Sequence, residues 1–162
     1  MTINELLSEE RVFLRAKSSG KKQVLRLLAS LAAKTLDVDE AIVLASLQER
    51  ERLSSTGVGG GVAIPHARLD GLDQVKGIFV RFEQPISFDA VDDAPVDLFF
   101  MLLAPKQAGA EHLKALAQVS RCLRLPQMRE RLRLAPDADA CRMILCNDTQ
   151  NKPARKTRSA NA

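Results

Sequence analysis

The sequence predicts an α/β (α+β) fold in which a central mixed β-sheet is flanked by helices on both faces. Helical periodicity occupies the first and last thirds of the 162-residue chain, whereas strand-like segments occupy the middle. Within that middle third, the run Leu98–Leu103 is apolar at both odd and even positions, which is typical of a central strand covered on both faces. A single domain of this length can bury a sufficient core without a metal or a disulfide bond.

The first third of the chain predicts a short strand and two helices. Residues 11–16 are expected to form an edge strand, and Ser19 is expected to cap the helix that follows it. Apolar residues then recur at helical spacing, namely Val24, Leu27, Leu28, Leu31 and Ala32. Asp37 and Glu40 together resemble a capping pattern, which predicts a second helix through about Arg52.

The middle third predicts strands that follow a glycine-rich loop. Residues 54–61 are small and include four glycines, and residues 62–64 are strand-like. A half-buried strand is predicted at residues 78–82. Ile78, Val80 and Phe82 fall at alternate positions on one face, and Phe79 and Arg81 lie between them. Residues 85–89 are expected to form a further short extended segment.

The last third predicts three helices and a tail. The first helix is expected to bury one stripe, consisting of Leu113, Leu116, Ala117, Ser120 and Leu123, with His112 at its edge. Pro126 is expected to begin a short helix, and Asp137 is expected to cap a last one. Arg129, Arg131 and Arg133 are interpreted as a solvated helix face. From residue 147 the chain is polar and without periodicity, which predicts disorder.

The charge distribution argues against a nucleic-acid groove. The chain carries a net charge of +4, of which +3 falls after residue 146, where four basic residues accompany Asp148. The remainder carries only +1, and there is no Trp or Tyr to stack on bases. Binding of nucleic acid through the basic tail remains an alternative, for which a steep salt dependence is expected.

Hydropathy and cysteine usage predict a cytoplasmic protein without membrane insertion. The longest apolar run, Leu98–Ala104, is far shorter than the ~20 residues of a membrane span, and the N-terminus lacks a secretion-signal pattern. The three cysteines are odd in number and have no CxxC spacing, which favours buried thiols in a reducing compartment.

His66 is the candidate nucleophile. It follows the glycine cluster, a strand and Pro65, whose ring stiffens the backbone there. Gly57, Gly59 and the glycines after it allow backbone N–H groups to approach an anion closely, and a neutral imidazole is a good nucleophile near pH 7. The glycine cluster is neither a Walker A loop nor a dinucleotide fingerprint. From composition alone, a surface histidine after a glycine turn is an equal alternative.

A longer pattern in this segment is far more specific than its composition. Glu51, Val58-Gly59 and the string Val62-Ala63-Ile64-Pro65-His66-Ala67 resemble the active-site signature of the mannitol/fructose/nitrogen IIA family of the phosphoenolpyruvate-dependent phosphotransferase system. Residues 50–68 look most similar to the nitrogen-regulatory IIA proteins, PTS IIA type 2. The resemblance continues through further segments, which are residues 85–90, 95–98 and 112–113.

The resemblance implies a mannitol-type IIA fold and a role for each residue of the candidate site. His66 is the implied phosphoryl acceptor through Nε2, with Arg50 and His112 as its active-site neighbours. Further candidates for the phosphoryl pocket are less specific, namely Ser55, Thr56, Gly57 and Gly59. Neither a cofactor nor a metal is implied, and the acidic cluster around Pro95 is interpreted as turn bonding and solvation. Gly60 departs from relatives that carry a polar residue there, which predicts a looser loop.

The resemblance also implies a function and partners. A PTS IIA type-2 domain over residues 1–148, followed by a basic tail at 149–162, is expected to be a regulatory phosphocarrier rather than a turnover enzyme. Its implied donor is an HPr-like phosphohistidine carrier, and its implied targets are regulators of the sensor-kinase or potassium-transport type. Two alternatives remain open: a sugar-specific IIA component that passes phosphate to a IIB partner, and a protein-interaction module that is not phosphorylated.

Overall fold

A computed structural model describes residues 1–147; the tail predicted at 149–162 lies outside the described residues. The helices are α1 (Ile3–Leu6), α2 (Lys21–Leu36), α3 (Glu40–Leu53), α4 (Gly109–Leu123), α5 (Pro126–Leu134) and α6, described from residue 138 to 147. The strands are β1 (Val12–Ala16), β2 (Gly57–Gly59), β3 (Val62–Ala63), β4 (His66–Leu69), β5 (Lys76–Ile86) and β6 (Val96–Pro105). Within residues 1–147, no helix is both long enough and apolar enough to cross a membrane.

The strands form one mixed sheet, as the sequence predicts. Its order is β1-β5-β6-β3-β2, and β4 also pairs with β6. The pairs β1·β5, β3·β6 and β4·β6 are parallel, whereas β5·β6 and β2·β3 are antiparallel. β6 therefore has neighbours on both edges, and the apolar run Leu98–Leu103 is the central strand that its composition predicts.

Two hydrophobic clusters lie on opposite faces of the sheet because successive strand side chains alternate. Phe79 and Phe100 belong to the cluster that includes α1, α4, α5 and α6 residues. Ile78, Val80 and Phe99 belong to the cluster that includes α2 and α3 residues. β5 is thus buried on both faces at residues 77–80, and not on one face only, as its alternation with Arg81 suggested.

Two helix caps predicted from the sequence were wrong. α2 begins after Gly20, not at Ser19, whose backbone N–H donates to Oε1 of Gln23. Asp37 ends α2 in the left-handed conformation, at φ 57°, a conformation that Asp tolerates better than most residues. The cap of α3 is Asp39, whose carboxylate accepts the N–H of Ile42 at 3.0 Å.

The buried face of α4 differs from the predicted stripe. The buried residues are His112, Ala115, Val119, Cys122 and Leu123, whereas Leu113 is 63% exposed and Ala117 is also exposed. The prediction weighted the large leucines, but the helix buries smaller side chains against the sheet. This difference moves His112 from the edge of the helix to its inner face.

Two of the three arginines of α5, Arg129 and Arg133, have specific partners that the prediction of a solvated face did not include, whereas Arg131 is exposed as predicted. Arg133 forms a bidentate pair with Asp97 and donates to the carbonyl oxygen of Gly60 at 2.9 Å. The guanidinium of Arg129 packs against Gly60, where an added Cβ would lie 2.8 Å from Arg129 Cζ and φ is +68°. The N–H of Gly60 donates to Asp92 Oδ2 at 3.1 Å, so both backbone groups of this glycine have partners.

Arg81 fastens the C-terminal end of α5 to β5. Its Nη1 donates to the carbonyl oxygens of Leu132 at 2.7 Å and Ala135 at 2.9 Å. These carbonyl oxygens belong to the last turn of the helix and to its C-cap, Ala135, where intrahelical partners are lacking. A single guanidinium nitrogen therefore supplies donors that the helix end itself does not provide.

Replacing Arg81 by Met should lower the free energy of unfolding by about 1–3 kcal/mol, because part-buried carbonyl groups lose charged donors. Urea unfolding followed by circular dichroism measures this loss. The exposed Arg131, on helix α5 to which Arg81 donates, is the matched control, and Arg131→Met should change stability by less than about 0.5 kcal/mol. Equal effects of the two substitutions would contradict this role of Arg81.

Candidate functional site

The candidate site lies where β4 begins. Pro65 precedes the strand, and its carbonyl oxygen accepts the N–H of Leu102 at 2.9 Å, which ties this point to central strand β6. His66 is the first residue of β4. Arg50 comes from the last turn of α3, and His112 comes from the first turns of α4. The site therefore combines helices from both sides of the sheet.

The hydrogen bonds of His66 determine which ring nitrogen carries its proton. Nδ1 lies 2.9 Å from the carbonyl oxygen of Ile64, and Nε2 lies 3.1 Å from Nε of Arg50. A guanidinium only donates and a carbonyl only accepts. Nδ1 therefore carries the proton and donates it to Ile64, while Nε2 has its lone pair available and accepts from Arg50.

His112 has the opposite tautomer. Its Nδ1 lies 3.2 Å from Nε of Arg68, which can only donate, so the ring proton resides on Nε2. The side chain is 4% exposed, and within residues 1–147 no group accepts a hydrogen bond from Nε2. An unpartnered buried N–H costs free energy, about 1–3 kcal/mol. The site thus presents a donor without an acceptor.

The structure brings the three residues that the resemblance implied into one site. The rings of His66 and His112 are 5.4 Å apart between centroids and meet edge to face at 80°. Arg50 contacts His66 directly, and its Nη1 also donates to the carbonyl oxygen of Ser54 at 2.8 Å. His66 is half-buried, not enclosed by apolar packing.

Burial keeps both imidazoles neutral at pH 7. It is the main cause that lowers the pKa of His66, with a further decrease from the charge of Arg50, while the bond to Ile64 acts in the opposite direction. Burial likewise lowers the pKa of His112 to about 4, together with the charge of His66 once that ring is protonated and the charge of Arg68. A neutral ring with a bare Nε2 is the nucleophilic form of histidine.

A buried hydrogen-bond chain supports the carbonyl group that holds His66. Glu51 is 8% exposed; it accepts both the hydroxyl and the N–H of Thr56, and Lys21 Nζ lies 3.1 Å from its Oε1. The carbonyl oxygen of Thr56 then accepts the N–H of Ile64 at 3.0 Å. The orientation of Ile64, and through it the ring of His66, depends on this chain.

The other pocket candidates have structural partners in the loop. The hydroxyl of Ser55 donates to the carbonyl oxygen of Phe88 at 2.8 Å and accepts the N–H of Gly57 at 3.0 Å. Gly59 pairs with Val62 in the β2·β3 hairpin. Among the hydrogen bonds described for residues 1–147, those of Ser55, Thr56 and Gly57 do not reach either histidine. Contact of these residues with a phosphoryl group stays a prediction.

Sequence reasoning did not identify Arg68 as part of the site. The signal was present, because residues two apart on a strand point to the same face and Arg68 follows His66 at that spacing. It was missed because its partner, His112, was assigned to the edge of α4. Glu51 was noted only as part of the signature, and not for its buried bonds to Thr56.

The aspartates around Pro95 have partners of their own. Asp97 pairs with Arg133, and Asp92 accepts the N–H groups of Gly60 and Ala94. Within residues 1–147, no cluster of three or more histidine, cysteine or acidic side chains could hold a metal ion.

The low pKa of His112 makes stability depend on pH. The unfolded chain binds a proton at about pH 6.5, the ordinary value, whereas the folded ring binds it at about 4. The stabilisation that His112 contributes above pH 6.5 is therefore lost as the pH falls toward 4, by about 3 kcal/mol. Urea unfolding at pH 7 and pH 4 should show this loss, and His112→Gln should show a correspondingly smaller one. A pKa of His112 at or above 6.5 by NMR titration would contradict the burial of this ring.

Comparison with known proteins identifies the family. Residues 5–147 match the family described as "Phosphoenolpyruvate-dependent sugar phosphotransferase system, EIIA 2". The nitrogen regulatory protein of Bradyrhizobium diazoefficiens is 44% identical over 145 residues, which are 90% of this chain and 95% of that protein.

Solved structures agree with this match. The nitrogen regulatory protein IIA-Ntr from Neisseria meningitidis has 37% sequence identity and a TM-score of 0.84, over 88% of this chain and 98% of that one. IIA mannitol from Escherichia coli, at 22% identity, shares the fold with a TM-score of 0.74, over 86% of this chain and 98% of that one. Since the family match extends over nearly all described residues and a curated relative is 44% identical along almost its full length, the chain belongs to the EIIA 2 family of the phosphoenolpyruvate-dependent sugar phosphotransferase system.

Proposed function

We propose that this protein is a regulatory phosphocarrier of a nitrogen-type phosphotransferase system, located in the cytoplasm. It accepts a phosphoryl group on Nε2 of His66 from an HPr-like phosphohistidine carrier. It then controls partner proteins, of the sensor-kinase or potassium-transport type, according to its phosphorylation state. The observation that supports this proposal most strongly is the unprotonated Nε2 of His66, which accepts from a guanidinium beside a second histidine whose N–H has no acceptor among residues 1–147.

The transfer needs no proton movement at His66. The lone pair on Nε2 attacks phosphorus, while the P–N bond of the donor breaks and its electron pair returns to the donor's ring nitrogen. The proton on Nδ1 stays in its bond to the carbonyl oxygen of Ile64, 2.9 Å away. Because this bond already fixes the ring, the nucleophile is oriented before the donor arrives.

Arg50 has two successive partners in this scheme. Before transfer its Nε–H donates to Nε2 of His66. Once Nε2 is bonded to phosphorus, it can no longer accept, and the guanidinium turns to the phosphoryl oxygens, for which its planar fork is well suited. The Nε2–H of His112 donates to another oxygen. Both groups stabilise charge on the transferring phosphoryl group.

Exposed leucines beside the site supply a contact surface for a protein donor. Leu53, at the end of α3 near Arg50, is 76% exposed, and Leu113, next to His112, is 63% exposed. Large apolar side chains at these positions favour a protein partner over a small substrate. A phosphoryl group at His66 adds a charge of about −2 beside this surface, which changes the partners that can bind.

Phosphorylation of His66 can be tested by reconstitution. We expect the protein to acquire one acid-labile phosphate when it is incubated with phosphoenolpyruvate, enzyme I and an HPr-type carrier, and His66→Gln to acquire none. The readout is intact-mass spectrometry before and after acid treatment. Phosphate that persists in His66→Gln would place the acceptor elsewhere, and its absence from the wild type would favour an interaction module.

A direct role of Arg50 in phosphoryl transfer can be distinguished from an effect of the positive charge at the end of α3 by comparing two substitutions. Arg50→Gln should slow phosphoryl transfer from the carrier about 10–100-fold, because a charged donor to the transferring group is lost. Arg52, two residues away, is bonded to Glu49 at 2.8 Å, and Arg52→Gln should change the rate less than about twofold. Quench-flow kinetics under single-turnover conditions measure both. Equal slowing in the two variants would contradict a direct role of Arg50.

A sugar-specific IIA component is the second candidate, since the description of the family itself names a sugar phosphotransferase system. The chemistry at His66 is common to both candidates, so only the recipient distinguishes them. Rapid and complete loss of the phosphate to a sugar-type IIB domain would favour this alternative. Retention of the phosphate with that domain, together with binding to a regulator that depends on phosphorylation, supports the first.

A further inference from the structure

Arg68 is an exposed arginine whose best-defined contact is with a buried histidine. It lies two residues after His66 on β4, and its Nε is 3.2 Å from Nδ1 of His112. His112 is 4% exposed, and the opposite ring nitrogen, Nε2, has no partner within residues 1–147. Nδ1 of this ring is therefore paired with a cation, while Nε2, on the opposite edge of the ring, is buried and has no acceptor among residues 1–147.

We propose that Arg68 is a positioning residue that fixes the tautomer of His112, so that Nε2–H is available as a donor to the phosphoryl group on His66. This inference rests on the proposed function, which it deepens. Arg68 acts through His112, and direct contact with the phosphoryl group is not required.

The need for such a residue follows from imidazole chemistry. Either nitrogen of a neutral imidazole can carry the proton, and the partner of one nitrogen decides the state of the other. If Nδ1 of His112 carried the proton, Nε2 would present a lone pair to phosphoryl oxygens and repel them. The guanidinium of Arg68 disfavours this tautomer, because it only donates hydrogen bonds and therefore requires a lone pair on Nδ1.

The two arginines of the site act on different histidines at different times. Arg50 donates a hydrogen bond to Nε2 of His66, the attacking nitrogen, and this bond is lost when the P–N bond forms. Arg68 occupies Nδ1 of His112, which takes no part in bond formation, so it can stay throughout the cycle. Substitution of Arg68 should therefore change His112 and leave the proton on Nδ1 of His66 in place, since Ile64 still holds it.

Burial and charge support the same assignment. The pKa of His112 is lowered first by burial and then by the charges of His66 and Arg68. Removing the guanidinium should raise the pKa of His112, while burial still holds it below the ordinary value. A neutral ring at pH 7 is then retained, which allows the tautomer to be compared between variants without a change of charge.

The experiment measures ring tautomers by long-range ¹H–¹⁵N NMR correlation on the full-length protein, with the rate of phosphoryl transfer in parallel. In the wild type we expect His112 to carry its proton on Nε2 alone. In Arg68→Met we expect a measurable Nδ1–H population, a raised pKa of His112 and transfer about fivefold slower, the size expected for one lost hydrogen bond. Arg68→Lys keeps a cationic donor and should restore most of the Nε2–H population.

Arg52→Met is the matched control, because it removes an exposed arginine of the neighbouring helix end that bonds to Glu49 and not to a histidine. It should leave the tautomer and the rate unchanged. An unchanged tautomer of His112 in Arg68→Met, or the same shift in Arg52→Met, would overturn the assignment. If the wild-type protein acquires no phosphate but Arg68→Met shows the expected tautomer shift, the phosphocarrier function is refuted and control of His112 by Arg68 is supported.

Discussion

The hydrogen bond from Nδ1 of His66 to the carbonyl oxygen of Ile64 is the interaction on which the rest of the site depends. It is made two residues back along the chain, between a short strand and a proline, so the backbone itself determines the direction of the ring. With the proton held on Nδ1, the other nitrogen has a lone pair. Lys21 contacts Glu51, Glu51 accepts from Thr56, and the carbonyl oxygen of Thr56 accepts the N–H of Ile64, which links helices α2 and α3 to His66.

The histidine pair combines one acceptor and one donor in a small space. Two neutral rings in opposite tautomers, 5.4 Å apart, present a lone pair and an N–H, which are complementary to phosphorus and to its oxygens. Burial makes this possible because it disfavours the charged ring, which would lack the lone pair. The N–H of His112, which has no acceptor among residues 1–147, lowers stability, and this is the kind of cost that a protein tolerates at a functional site.

Local patterns predicted the architecture and singled out His66 as the candidate nucleophile, whereas the contacts of the site are made between distant segments. The apolar run in β6 and the string around His66 carry their information within a few residues. Which face of α4 is buried cannot be recognised from a few neighbouring residues. Its inner face contains Ala115, Val119 and Cys122, which are small enough to pack closely on the sheet. In a hydropathy pattern these residues are outweighed by Leu113, which is exposed. The bonds of Arg133 to Asp97 and of Arg68 to His112 join residues 36 and 44 positions apart, which no spacing rule connects.

Neutron diffraction from perdeuterated crystals of the unphosphorylated protein at neutral pH would locate the ring deuterons of both histidines. We expect deuterium on Nδ1 of His66 and on Nε2 of His112, with Nε2 of His66 bare beside Arg50. Deuterium on Nε2 of His66 would contradict this assignment, since that nitrogen would then have no lone pair with which to accept a phosphoryl group.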